Sequence, residues 1–251
     1  MKNKFLPLLL LSVLSFASCR VDVKGDKGIN GFSFNSVKAN ENIVTETRDV
    51  KSFESISVTS AIKVIISDEK FDNKITIKGP DNVIKILKSE VINGQLKLSF
   101  SEAVSFRNQD LVVTIPHQKL RGLDISGASK VTANHKMMVE KFTAKLSGAS
   151  SANLNIVSNE VNLDLSGASS LNIGGNAQKL FVDNSGASKL SAKELKAAFV
   201  KVDCSGASKA EVWAIDQLEA DASGASKVTY VNENNLKKNV SNSGASSVKS
   251  I

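Results

Sequence analysis

Cysteine is nearly absent from this chain of 251 residues, which holds only Cys19 and Cys204. One of them ends an N-terminal leader, so no partner is left for an internal disulfide and the fold must hold by packing. Aromatic residues are 5% of the chain, with one Trp and one Tyr. Rows of stacking platforms for bases or sugars are therefore not expected. Arginine is scarce after Arg20, with Arg48, Arg107 and Arg121 widely spaced, and the formal charge of +7 includes Lys2 and Lys4 of the leader. Scattered lysines and acids without a dense basic stripe exclude nucleic acid as an expected partner. The only histidines are His117 and His135, too few to activate a repeated serine nucleophile. The longest apolar run is about 14 residues, below the roughly 18 that a membrane-spanning helix needs.

That run belongs to the leader. Residues 1–18 combine a basic start at Lys2 and Lys4, an apolar stretch from Phe5 to Leu14 and a small-residue end at Ala17-Ser18, the pattern of a signal peptide cut after Ser18. Phe16-Ala17-Ser18-Cys19 resembles the lipobox of bacterial lipoproteins. The resemblance implies that Cys19 is the lipid-attachment site, that acyl chains hold the mature protein to a membrane, and that this membrane is the outer one. Residues 19–47, rich in Gly, Asn and Lys, read as a lipid-anchored tether.

What the chain has in abundance is repetition. Ser-Gly-Ala-Ser starts at Ser126, Ser147, Ser166, Ser185, Ser205, Ser223 and Ser243, at spacings of 21, 19, 19, 20, 18 and 20. Twenty extended residues have a contour of about 65 Å, enough for one circuit of a flattened coil. Each repeat is expected to be one rung of a solenoid. The residue before each motif (Ile125, Leu146, Leu165, Asn184, Cys204, Ala222, Asn242) and the one two earlier are mostly apolar, with polar residues between. This alternation marks half-buried strands. Gly allows a sharp corner, and small residues stack without collision where rungs lie about 4.8 Å apart. The predicted architecture is all-β: a right-handed single-stranded parallel β-helix over 48–251, with irregular N-terminal rungs at 48–116 and Ser-Gly-Ala-Ser rungs at 117–251.

Several segments resemble the family of putative auto-transporter adhesins with a head GIN domain. Gly28-Ile29-Asn30 looks like its name motif. Arg48-Asp49-Val50 followed by Phe53 and Ile56, Gly94-Gln95-Leu96, and Val112-Val113-Thr114-Ile115-Pro116 leading to Leu123-Asp124-Ile125-Ser126-Gly127-Ala128 extend the match. The resemblance implies a parallel β-helix on a bacterial envelope protein and an adhesin-like role, and it identifies no ligand.

The sharpest candidate site is a column of acids two positions before the corners: Asp164, Asp183, Asp203 and Asp221, with Asp124 beyond an interruption at Lys145. Carboxylates one rung apart repel by roughly 1 kcal/mol in water-like surroundings. Lys130, Lys189, Lys209 and Lys227 follow corners, so an Asp/Lys lattice is expected to offset the repulsion; oxygen-rich cation binding is the sharper alternative. The acids follow the repeat as architecture does. Hence no catalytic residue, cofactor or metal is assigned, and an enzyme of carbohydrate turnover ranks behind a binding or scaffolding role toward glycans or envelope components, and behind a periplasm-facing structural lipoprotein. Cys204 and Trp213 are both read as inward core residues. The chain ends soon after the seventh corner, at Ser247-Val248-Lys249-Ser250-Ile251, which predicts end-to-end homo-oligomer pairing through an open edge.

Overall fold

The computed structural model describes residues 37–102, 104–105, 111–117, 119–231 and 235–251. The leader, Cys19 and the Gly28-Ile29-Asn30 motif lie outside the described residues.

The strands are short at first: β1 (Val37–Lys38), β2 (Ile43–Asp49), β3 (Ser55–Val58), β4 (Lys63–Lys70) and β5 (Lys74–Pro80) precede helix α1 (Asp81–Ile86). Then follow β6 (Leu87–Ile92), β7 (Gln95–Phe100), β8 (Val104–Ser105), β9 (Val112–His117), β10 (Gly122–Ile125), β11 (Lys130–Met138) and β12 (Lys141–Leu146). The long strands β13 (Ser151–Leu165), β14 (Ser170–Asn184), β15 (Lys189–Cys204) and β16 (Lys209–Ala222) lead into β17 (Lys227–Val231), β18 (Lys237–Asn242) and β19 (Ser247–Ser250). From β10 onward every pairing between rungs is parallel and joins a residue to its copy in the next repeat, as in Asp164 to Asp183 and Asp183 to Asp203. The result is the parallel β-solenoid that the repeat predicts.

Its first rungs are not stacked in chain order. β3 lies between β7 and β10, parallel to both, and β4 lies between β9 and β11 in the same way. The chain therefore builds one rung, drops below it to build another, and climbs past the first to start the regular repeats. The base is closed by antiparallel pairing of β2 with β5, β5 with β9 and β6 with β7. Across it runs α1, with Val83 and Ile84 buried. Arg48, part of the family-like segment, secures this plug: its guanidinium donates to Ile84 O at 2.7 Å and Leu87 O at 2.6 Å. The cation thus sits on carbonyls at the C-terminal end of the helix, where positive charge is favourable, Ile84 O also accepting the Leu87 N–H. The ordered fold begins before Arg48, since β2 starts at Ile43 within the stretch read as tether.

Each corner repeats one geometry. The glycine sits at positive φ, +66° to +72°, and the alanine N–H donates to the glycine carbonyl one rung below, as Ala187 does to Gly167 O at 2.8 Å. A Cβ on Gly186 would lie 2.7 Å from that same oxygen, so only glycine fits. The last serine of each corner turns inward and is buried up to Ser226. Ser208 Oγ donates to Asn184 O at 2.9 Å and Ser226 Oγ to Cys204 O at 3.1 Å, which satisfies carbonyls at the bend. A continuous exterior strip of hydroxyls is thus ruled out for this half of the serines. Gly and Ala face solvent along the ridge, beside a first serine that is exposed at Ser205 and Ser243 and half-buried at the other corners.

The core is a column of alternate residues. Ile125, Leu146, Leu165, Asn184, Cys204 and Ala222 are all buried, as the alternation predicts, whereas Val240, at an inward position of the last rung, is 41% exposed.

Candidate functional site

The face before the corners presents outward columns two, four and six residues ahead of each first serine. In the nearest column the register runs Asp124, Lys145, Asp164, Asp183, Asp203, Asp221, Ser241. The four aspartates read from sequence therefore do form an uninterrupted ladder of exposed side chains. Burial pushes the Asp203 carboxyl above the usual range, Lys201 pulls it back, and Asp221 and Asp183 push it further up. The lysines do not neutralise this ladder. Lys189, Lys209 and Lys227 stack in their own column on the far side of the corner, and no ion pair among the described residues joins the two columns. The lattice expectation fails because five residues of chain, including the bend, separate Asp183, Asp203 and Asp221 from Lys189, Lys209 and Lys227, and Asp164 has Ser170 at that offset. Nor do three Asp, Glu, His or Cys side chains converge to hold a metal ion among the described residues.

Beside the aspartates, composition had hidden a pair of aromatics. Phe181 and Phe199 both point outward and half-buried, with ring centroids 5.8 Å apart and planes tilted by 55°. In the ladder Phe181 is flanked by Asn162 and Lys201, and Phe199 by Lys179 and Gln217. A groove of about 300 Å³ runs along this face, lined by Thr143, Asn162, Phe181, Lys201, Asp183 and Asp203 among others. An apolar ring face bordered by carboxylates, an amide and an ammonium can stack on an apolar ligand face while bonding to its hydroxyls. The signal for these residues was present in the parity: Phe181 directly precedes inward Val182, which puts it outside.

The remaining candidates fall elsewhere. Trp213 is not core: Val212 and Ala214 on either side are the buried ones, and the indole lies outside with Lys196 Nζ 4.3 Å from its ring centroid. Alternation from Ala210 requires this, so the inward reading misplaced it by one residue. Cys204 is buried as expected, and burial pushes its thiol up, away from the reactive thiolate. Asn184 sits fully buried beside it, donating to Lys209 O at 2.9 Å and accepting from Ser188 Oγ.

The family described as putative auto-transporter adhesin, head GIN domain, matches residues 52–234. The chain belongs to that family. Solved structures share the solenoid fold at low identity. A putative adhesin from Bacteroides fragilis is 20% identical with a TM-score of 0.80, covering 86% of this chain and 100% of its own. A putative adhesin from Parabacteroides distasonis is 18% identical with a TM-score of 0.68, covering 86% and 100%. A putative lipid binding protein from the same species is 14% identical with a TM-score of 0.67, covering 86% and 99%. No curated protein matches the chain. For this head GIN protein the family description speaks of adhesion and not of a reaction.

Proposed function

We propose that this protein is a non-enzymatic, adhesin-like binding module of the cell envelope, held to the outer membrane by lipid on Cys19, and that its ligand is a glycan chain laid along the face before the corners. The observation that carries this reading is the outward Phe181–Phe199 pair beside the in-register aspartates. Cross-strand aromatic pairs also steady a sheet, but here the two rings stand on the exterior beside a groove bordered by Asp183 and Lys201. Aromatic faces stack on the apolar face of a sugar ring, and the flanking Asp183, Asn162 and Lys201 bond to its hydroxyls. The carboxylate ladder repels acidic polymers, so neutral or amino-sugar chains are the class that fits. A solenoid suits such a ligand because equivalent positions recur along its length.

Location is tested by treating intact cells with a protease that cannot cross the outer membrane. Removal of the protein from intact cells supports the adhesin reading. Survival until the membrane is opened contradicts it and favours the periplasm-facing structural lipoprotein.

A further inference from the structure

The two charged columns flank the same ridge. In the rungs cornered at Ser185, Ser205 and Ser223, Asp183, Asp203 and Asp221 stand just before the bend and Lys189, Lys209 and Lys227 just after it, all exposed. Between the columns lie exposed Gly186-Ala187, Gly206-Ala207 and Gly224-Ala225, preceded by the half-buried Ser185 and Ser223 and the exposed Ser205, so the ridge carries nothing larger than a hydroxymethyl group. No ion pair among the described residues joins Asp183, Asp203 or Asp221, or Lys189, Lys209 or Lys227, to an opposite charge: Lys201, which pulls Asp203 down, pairs with Glu219 at 3.9 Å, and Glu211 accepts from Ser191 Oγ at 3.3 Å. Like charges one rung apart repel, and each ladder gains from a partner of opposite sign at the same spacing.

We propose that a second copy of this chain is that partner, docked ridge to ridge about a twofold axis parallel to the solenoid axis. The arrangement follows from symmetry. Such an axis carries the stripe on one side of the ridge across to face the opposite stripe of the other copy at the same height. Every Asp ladder then meets a Lys ladder, twice per dimer, and the interface is self-complementary as a twofold contact must be. The antiparallel alternative sets Asp against Asp and Lys against Lys, so charge alone selects the parallel form. The bare Gly-Ala ridge lets the two backbones come close enough for the ladders to meet. The apolar seam with charged rims has the layout of a protein interface. Phe181 and Phe199 lie further from the corner than the aspartates, and this inference does not rest on the glycan reading, although Asp183 and Asp203 border both faces.

The test uses the full-length protein in its own cells, with single cysteines on the ridge. In the parallel dimer each residue meets its own copy across the axis, so Ala187→Cys and Ala207→Cys each give a disulfide-linked dimer on a non-reducing gel. An antiparallel dimer centred on Ala207 separates the two copies of residue 187 by about two rungs, roughly 10 Å, beyond the reach of a disulfide. Reversing Lys189, Lys209 and Lys227 to Glu in the Ala187→Cys background should cut the dimer at least tenfold. Adding Asp183→Lys, Asp203→Lys and Asp221→Lys should restore it, which also rules out misfolding as the cause of the loss. The proposal is overturned by the absence of a dimer from either cysteine, by a dimer from Ala207→Cys alone, by cross-links only to a different protein, or by a yield indifferent to charge reversal.

Discussion

Replacing Gly186 by alanine should unfasten the corner ladder at its middle. The residue has φ +69°, and the new methyl would sit 2.7 Å from Gly167 O and 3.0 Å from Gly167 N. The left-handed conformation costs a non-glycine residue about 1–2 kcal/mol. Gly167 O also accepts the Ala187 N–H at 2.8 Å, so moving that oxygen away weakens a bond with a net contribution of about 0.5–1.5 kcal/mol. Allowing for the displacement of backbone in the rung below, the expected loss is about 2–4 kcal/mol. For a domain of this size each kcal/mol lowers Tm by about 2–4 °C, so a fall of about 5–12 °C is expected. Gly94→Ala is the control: its φ is +73°, but a Cβ there meets nothing within 4 Å, which leaves only the conformational cost of about 1 kcal/mol. Thermal melts of both variants, with hydrogen exchange at the Ala187 amide, separate the two contributions. If Gly186→Ala melted no lower than Gly94→Ala and Ala187 stayed protected, close stacking of the corners would not be what demands glycine.

Other perturbations test other levels of the account. Phe142 is fully buried, and Phe142→Ala should lose about 3–5 kcal/mol in urea titration. Ser208→Ala removes the 2.9 Å bond to Asn184 O and should cost about 1 kcal/mol, whereas Ser169, whose buried Oγ has no partner, should accept alanine without loss. Asp203 titrates above its ordinary value of 3.8 in the native state, so its charged form works against folding. Stability from this group is therefore gained as pH falls through the raised pKa and is complete below 3.8. Asp203→Asn should accordingly raise Tm at neutral pH, and its advantage over the unchanged protein should vanish at acid pH; a constant advantage at all pH values would contradict the desolvation argument.

Much of this architecture is legible because a solenoid writes its packing into a repeat. The seven glycines mark corners, and residues at fixed offsets from them become columns, so Ile125 through Ala222 and the ladder Asp164 to Asp221 could be placed in advance. Two things escaped. The order of the first rungs depends on pairings such as β3 with both β7 and β10, which join residues 40 to 67 positions apart and leave no periodic trace. The aromatic groove was overlooked for a different reason. A low overall aromatic content says nothing about where the few rings point, and Phe181, Phe199 and Trp213 all stand outside. The expected neutralisation of aspartates by lysines failed because nearness along the chain was read as nearness in space, when the bend puts the two columns on different faces.

The central claim is that the Phe181–Phe199 face binds glycan chains. Electrophoresis of the protein through gels containing neutral, amino-sugar or acidic polysaccharides tests it most directly, with Phe181→Ala as the comparison. Because Phe181 is only half-buried, its truncation should lower Tm by no more than several degrees and leave the protein folded at the temperature of the gel. Retardation by a neutral or amino-sugar polymer is expected, weakened at least tenfold in Phe181→Ala, and none by acidic polymers. Equal retardation of both proteins, or of neither by any polymer, would contradict it.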